Sequence, residues 1–257
     1  MSDFVPTPER QKQILFLLTQ QGRLSVAEIV EQFSISEATA RRDLESLASQ
    51  GKAQRVHGGV ITVEQAPPEL PILDREREQS DEKARIGRAA AGLVADRETV
   101  FLGSGTTVLE VARNLRDRKQ LTVITNSLPV LNMLAGLQEI TVISLGGMLR
   151  ESELSFIGHI TELALTEVRV DKVFMGTRGL SLEHGLTNDY LQETLTDRAI
   201  LKIGREAVIA ADYSKVNRVS TVLLAPLDAM STFVTDAKAD KKCLQAMKKQ
   251  GIQVVVA

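Results

Sequence analysis

One pattern constrains this chain more than any other, and it runs from residue 99 to the last strand-like segment. Short, nearly continuous apolar runs at 99–102, 121–125, 140–145, 172–175, 207–211, 219–224, 231–235 and 253–256 alternate with helical patterns near 108–115, 128–134, 160–168, 191–203 and 240–250. Alternation of this kind predicts βαβ units and a largely parallel sheet with helices on its faces. The continuity of the apolar runs fits strands buried on both sides. A helix precedes the first run, with Ser80 as its cap, Asp81 and Glu82 at its positive end, and Ile86, Ala89, Ala90, Leu93 and Val94 as its stripe.

In open α/β sheets, ligands bind beyond the carboxyl ends of the strands, so the residues that follow each run are the candidates. The first run leads into Gly103-Ser104-Gly105-Thr106-Thr107, whose glycines and hydroxyls at a helix start make an anion cradle. Later runs are followed by Asn126-Ser127, by Gly146-Gly147 and Arg150, by Gly176-Thr177-Arg178, by Asp212 to Lys215, and by Thr235-Asp236. Each piece alone is usually a turn or a solvated cation. Together, polar, glycine-rich and cationic groups on one sheet edge would hold a phosphorylated small molecule. The expected contacts are Ser104, Gly105, Thr106, Thr107, Asn126, Gly146, Gly147, Arg150, Arg178 and Lys215.

The first 65 residues read differently. A helix over 8–20 carries Ile14, Leu15, Leu17 and Leu18 and ends at Gly22; Ser25 caps a second helix containing Val26, Ile29, Val30 and Phe33. After Ser34-Ile35, Ser36 caps a third, which Gly51 stops. In that helix Ala40, Leu44, Leu47 and Ala48 form the apolar face. Ala38, Thr39 and Arg42 fall opposite, with Arg41 on the flank. Short side chains plus arginine suit a DNA major groove, where arginine bonds guanine bidentately. Residues 53–56 and 60–63 predict a hairpin around His57-Gly58-Gly59, the glycines supplying positive φ. The layout is a winged helix-turn-helix. The expected DNA contacts are Ser36, Ala38, Thr39, Arg41, Arg42, Arg55, His57 and Gly58. His57 has no partner ligand nearby in sequence, so no metal is expected.

Charge limits this reading. In residues 1–65, seven cations (Arg10, Lys12, Arg23, Arg41, Arg42, Lys52, Arg55) face eight acids, and the whole chain carries a net charge of −2. DNA affinity must therefore come from local placement of arginines and lysines rather than bulk charge. One such module does not readily reach the ~10⁻⁸–10⁻¹¹ M of specific binding, which predicts a homo-oligomer, dimer or tetramer, on repeated half-sites. Residues 66–79, with Pro67, Pro68 and Pro71, read as a linker, and the alternating charges of 74–77 as a solvated face. No apolar run approaches the roughly 18 residues of a membrane span. No basic-then-apolar leader opens the sequence, so a cytoplasmic location is expected. Cys243 is the single cysteine and reads as a buried small hydrophobe.

The residues Arg10, Ser36, Thr39, Arg41-Arg42-Asp43-Leu44, Leu47 and His57-Gly58-Gly59 resemble the N-terminal domain of the DeoR family of bacterial sugar-metabolism regulators. Ser104 to Thr107, Thr125-Asn126, Gly146-Gly147, Arg150, Gly158, Gly176, Gly185, Thr187, Glu193, Asp212, Lys215 and Thr235-Asp236 resemble its C-terminal sensor domain. The resemblance implies a winged helix-turn-helix domain at 1–65 and, at 80–257, an α/β effector-binding and oligomerisation domain similar in fold to ribose-5-phosphate isomerase. It also implies a repressor that leaves double-stranded operator DNA when a sugar phosphate or related anionic effector binds, with no cofactor and no enzyme activity. Two positions depart from the family habit: Gly103 stands where an Asp is usual, and Asp197 where a Lys is usual. Two other readings stay open, a constitutive DNA-binding regulator with a degenerate sensor and a sugar-phosphate isomerase-like enzyme.

Overall fold

The computed structural model describes residues 6–21, 23–49, 53–56, 59–62 and 70–257. The chain divides into two units, Met1–Glu64 and Gln65–Ala257. In the first, α1 (Thr7–Gln21) is followed by a short strand β1 (Arg23–Ser25), α2 (Val26–Phe33) and α3 (Glu37–Ser49). A hairpin of β2 (Ala53–Val56) and β3 (Gly59–Thr62) completes it. Ser25 caps α2 through a reciprocal box: its hydroxyl accepts from the Glu28 amide at 3.1 Å, and the Glu28 carboxylate accepts from the Ser25 amide at 2.6 Å. Ile14, Leu18, Ile29, Ala40, Leu44 and Leu47 are buried and form the core among the three helices.

The strand β1 was not foreseen. It pairs with β3, giving the antiparallel order β1-β3-β2. This pairing explains Gly59, which is needed for close approach rather than for a positive φ. A Cβ there would sit 2.2 Å from the Leu24 carbonyl oxygen, so any side chain would force the two strands apart. Gly22, Gly51, His57 and Gly58 lie outside the described residues.

The second unit begins with α4 (Ile72–Arg75) and α5 (Ser80–Ala91). Ser80 is the first helical residue rather than the cap, which is Gln79 at φ 46°. Residues 70–79, expected within the linker, pack into this unit. Ile72 is buried and its amide donates to the Ser152 carbonyl at 2.7 Å. Arg75, expected on a solvated face, is buried and bonds both carboxylate oxygens of Glu153.

There follow β4 (Thr99–Leu102), α6 (Thr106–Arg113), β5 (Leu121–Thr125), α7 (Leu128–Leu134) and β6 (Ile140–Ser144). A small hairpin, β7 (Met148–Arg150) and β8 (Ser155–Ile157), precedes α8 (His159–Thr166) and β9 (Val170–Met175). Then come β10 (Gly179–Ser181), β11 (Gly185–Asn188), α9 (Leu191–Leu201), β12 (Gly204–Ala210) and β13 (Val222–Ala225). The chain closes with β14 (Thr232–Thr235), α10 (Lys241–Lys249) and β15 (Gln253–Val256).

Seven strands make one wholly parallel sheet in the order β15-β14-β12-β9-β4-β5-β6. Its central strands are buried on both faces, as the continuous apolar runs required, whereas the edge strands β6 and β15 expose Ile143 and Val256. Along β4, Val100 and Leu102 pack with α5, α6 and α7, while Phe101 points to the core shared with α8, α9 and α10. The run at 219–224 is the exception. Its strand, β13, joins an antiparallel sheet with β10 and β11 outside the main one. The order reverses at β4, whose successor β5 lies on one side and β9 on the other. The carboxyl ends of β4 and β9 therefore diverge into a crevice. Among the described residues no helix is long and apolar enough to cross a membrane.

Candidate functional site

The first site is the outer face of α3. Ser36 caps the helix, its hydroxyl accepting from the Thr39 amide at 3.2 Å. Ala40, Leu44 and Leu47 are fully buried; Ala38, Arg41 and Arg42 are exposed and Thr39 is half-buried. Arg41 pairs with Glu37 one turn back at 2.6 Å, so its charge is partly spent on its own helix. Asp43 turns inward and accepts from Arg10 of α1 at 2.6 Å and from Gln11 at 3.2 Å. The run Arg-Arg-Asp-Leu thus presents two arginines outward, ties the helix to α1 through Asp43, and anchors it in the core through Leu44. The positioning role of Asp43 was not foreseen, because its partner lies 33 residues away. Arg55 stands on β2 opposite Val60.

The second site is a cleft of about 740 Å³, counting its open mouth, where the main sheet reverses its order. Ser104 to Val108 enter it from the end of β4, Met175 to Arg178 from β9, and Ala210 to Asp212 with Lys215 from β12. Glu193 and Asp197 of α9, Asn188, Glu153, Arg75, Glu78 and Lys83 complete the lining. Gly105, at φ 110°, is the cap residue of α6, and a Cβ built on it would meet nothing within 4 Å. The loop therefore leaves open space above the first amides of α6, which have no intrahelical acceptor.

Electrostatics divide the cleft. The charge of Arg75 is matched by Glu153, and Arg178 is held by Asp189 at 3.0 Å. Glu193 is paired with Arg150 and accepts from the Ser155 hydroxyl at 3.2 Å. Asn188 donates to Asp197 at 2.9 Å. Lys83 is buried, with its ammonium donating to the Arg75 carbonyl at 2.6 Å. Burial holds its pKa below the ordinary lysine value, with Lys215 and Arg75 acting in the same direction and Asp212 and Glu78 opposing. Asp212 caps the turn that carries Lys215, and the fully buried Asp236 holds that turn by accepting from the Tyr213 amide at 2.7 Å.

Of the residues expected to meet an effector, Ser104, Gly105, Thr106, Thr107, Arg178 and Lys215 line the cleft; Asn126, Gly146, Gly147 and Arg150 do not. Asn126 is buried and donates to the Phe156 carbonyl at 3.0 Å. Gly147 allows close packing on α8, since a Cβ would lie 2.1 Å from the Thr161 hydroxyl oxygen. Arg150 bonds Glu193 and lies over the Tyr190 ring at 4.6 Å, so it braces the wall from behind. Lys83 was missed because it precedes the first strand, where a search of strand ends does not look. Among the described residues no cluster of three or more His, Cys, Asp or Glu is placed to hold a metal ion.

Residues 10–66 match the family model of the DeoR-like helix-turn-helix domain, and residues 78–237 match that of the DeoR C terminal sensor domain. The chain belongs to the DeoR family. Its DeoR-family relatives include the transcriptional repressor AccR of Agrobacterium fabrum, 34% identical over 91% of each chain. The HTH-type transcriptional regulator IolR of Bacillus subtilis is 30% identical over 93% of this chain and 95% of its own. The glycerol-3-phosphate regulon repressor of Escherichia coli is 32% identical over 96% and 97%. Among solved structures, ribose 5-phosphate isomerase A of Methanocaldococcus jannaschii superposes with a TM-score of 0.40 at 23% identity, over 54% of this chain and 55% of that one. So loose a likeness has no bearing on chemistry. As a DeoR-family protein the chain is a DNA-binding transcriptional regulator with a sensor domain, not an enzyme.

Proposed function

We propose that this regulator represses carbohydrate-metabolism genes in the bacterial cytoplasm, holding repeated operator half-sites as a homo-oligomer, and that a sugar phosphate in the cleft releases it. The observation that carries the reading is the Gly105 cradle at the sheet's reversal, with Lys83 and Lys215 in the same lining. Backbone amides at a helix start and two ammonium groups favour one anionic group. The carboxylates of Asp197, Glu193 and Asp212 in the same cleft accept hydrogen bonds from hydroxyls and disfavour a second anion. One anionic end and a hydroxyl-rich body describe a phosphorylated sugar better than a bisphosphate. Effector binding then shifts the population toward a weakly DNA-binding arrangement, by as much as its affinity differs between the two states. One relative is by name the repressor of a glycerol-3-phosphate regulon.

A thermal-shift screen of sugar phosphates, sugar acids and free sugars, followed by release from operator DNA, tests the reading. Stabilisation by a sugar phosphate with release is the expected result. No shift by any of them, with operator still bound, would favour a constitutive regulator.

A further inference from the structure

A helix on a protein surface ordinarily turns its apolar stripe inward and its polar side to water. The first two turns of α9 are inverted: Glu193, Thr194, Thr196 and Asp197 are buried, whereas Leu191 and Leu195 are 55% and 46% exposed, and only the last turn buries an apolar residue, Ile200, in the core. The inner side has a reason to be polar, because Glu193 and Asp197 wall the effector cleft. Nothing in the described unit gives the outer side a reason to be apolar. α8 is tied to α9 by the Thr196 hydroxyl, which accepts from the Gly158 amide and donates to Glu162. It too exposes Ile160 and Leu163, by 66% and 54%, beside a buried Thr161. Leu223 of β13, next to the carbonyl that accepts from Arg198 of α9, is 53% exposed. The spacings 160/163 and 191/195 put each helical pair on one face of its helix.

We propose that this face of α8, α9 and β13 is the contact between two copies of the chain, and the inference rests on the oligomeric reading above. At roughly 100 Å² apiece, the five aliphatic side chains leave on the order of 500 Å² of apolar surface, near the upper limit for a monomer. A standard interface buries about 800 Å² on each partner, somewhat over half of it apolar, so the patch has the size of one such half. A second copy is the fitting occupant because an acidic winged module needs a second module to hold its operator. A two-fold contact also lets the same patch serve both copies. It places α9 between effector and partner, so a ligand pressing on Glu193 and Asp197 acts directly on the contact.

The test is sedimentation of the full chain, comparing wild type with Leu163→Glu, Leu195→Glu and, at the far edge of the sheet, Val256→Glu. Wild type and Val256→Glu should sediment as dimers or larger. Each of the two face variants should self-associate at least ~10-fold more weakly, with an unchanged melting temperature of the monomer and unchanged affinity for a single half-site. A second variant guards against misfolding. Leu195→Cys treated with a bifunctional maleimide should give a cross-linked pair, and the native Cys243 stays silent because it is buried with its thiol pushed up to about 11. Unchanged association of both Glu variants, dissociation only of Val256→Glu, or a wild type that is monomeric at micromolar concentration would each overturn the proposal. Effector-induced thermal shifts on the same preparations tell the two failures apart: a retained shift with unchanged association of both Glu variants sinks the interface alone, and no shift in any preparation with weakened association of both sinks the effector reading alone.

Discussion

Arg42 and Asp43 are adjacent in sequence and opposite in role. Arg42 is exposed on the outer face of α3, and its substitution by alanine should leave the fold intact. If it meets a guanine, the loss should be about 1–3 kcal/mol per half-site and concentrated at one base position. Arg55→Ala, on the wing strand, should weaken all sequences alike and flatten the salt dependence. A binding-site array separates the two, and equal, uniform losses would show that the direct reader is misassigned. Asp43→Ala should act on the fold instead. It leaves Arg10 charged and buried without its partner, a loss of about 3–5 kcal/mol for a broken buried pair. Melting of the winged unit should fall, and DNA binding with it. Lys83 gives the residue scale a pH signature. Its pKa is lowered from 10.5 in the fold by burial. Below the lowered value the ammonium is charged in both folded and unfolded chains, and its burial costs stability. As pH rises from there toward 10.5 the unfolded chain binds more protons, so stability rises. An anionic effector held by the ammonium is lost over the same window. Effector affinity should therefore begin to fall below pH 10.5, and Lys83→Arg should remove the Lys83 share of that fall, since arginine does not titrate there.

At the scale of elements, the loop between β4 and α6 carries the most. Gly105 sits at φ 110°, where a side chain is strained by about 1–3 kcal/mol, yet it has open space around its Cβ direction. Gly105→Asp should therefore fold and still bind operator, but place a carboxylate where the effector's anion belongs and so lose the response. Thr106→Ala should act in the same sense by ~1–3 kcal/mol. The paired measurement is melting temperature and effector-dependent release on the same preparations; a stable Gly105→Asp protein with an unchanged response would remove the loop from the site. This loop was legible in the sequence because its signal is local: an apolar run, then glycines, then a helix start. The central strands were legible for the same reason. β7, β8, β10 and β11 were not, being only three or four residues long, and β10 and β11 are also rich in Gly, Ser, Thr and Asn. The run that became β13 has the apolarity of a central strand, and only its antiparallel pairing with β11 distinguishes it. Arg150 looked like a ligand contact because its partner Glu193 comes 43 residues later.

For the whole molecule, the decisive segment is 70–79, which alternating charge and prolines made look like a tether. Its end is instead fastened to the sensor wall. Ile72 is buried, Arg75 satisfies the buried Glu153, the Arg75 carbonyl accepts from Lys83, and Arg75 and Glu78 line the cleft. Residues 70–79 of the sensor unit are therefore part of the cleft wall, and a ligand that displaced Lys83 or Arg75 would loosen them. Two fragments test this, one spanning 65–257 and one spanning 80–257. The longer keeps every partner described here for Glu153 and Lys83 and should bind effector as the full chain does. The shorter strips Glu153 of its arginine, at about 3–5 kcal/mol, and removes the Ile72 side chain, at about 1.5–3 kcal/mol. At roughly 2–4 °C per kcal/mol for a unit of this size, its melting temperature should be lower by about 10 °C or more. Its effector affinity should fall as well, because two lining residues are gone. Fragments with equal melting temperatures and equal affinities would show that residues 70–79 are a tether after all.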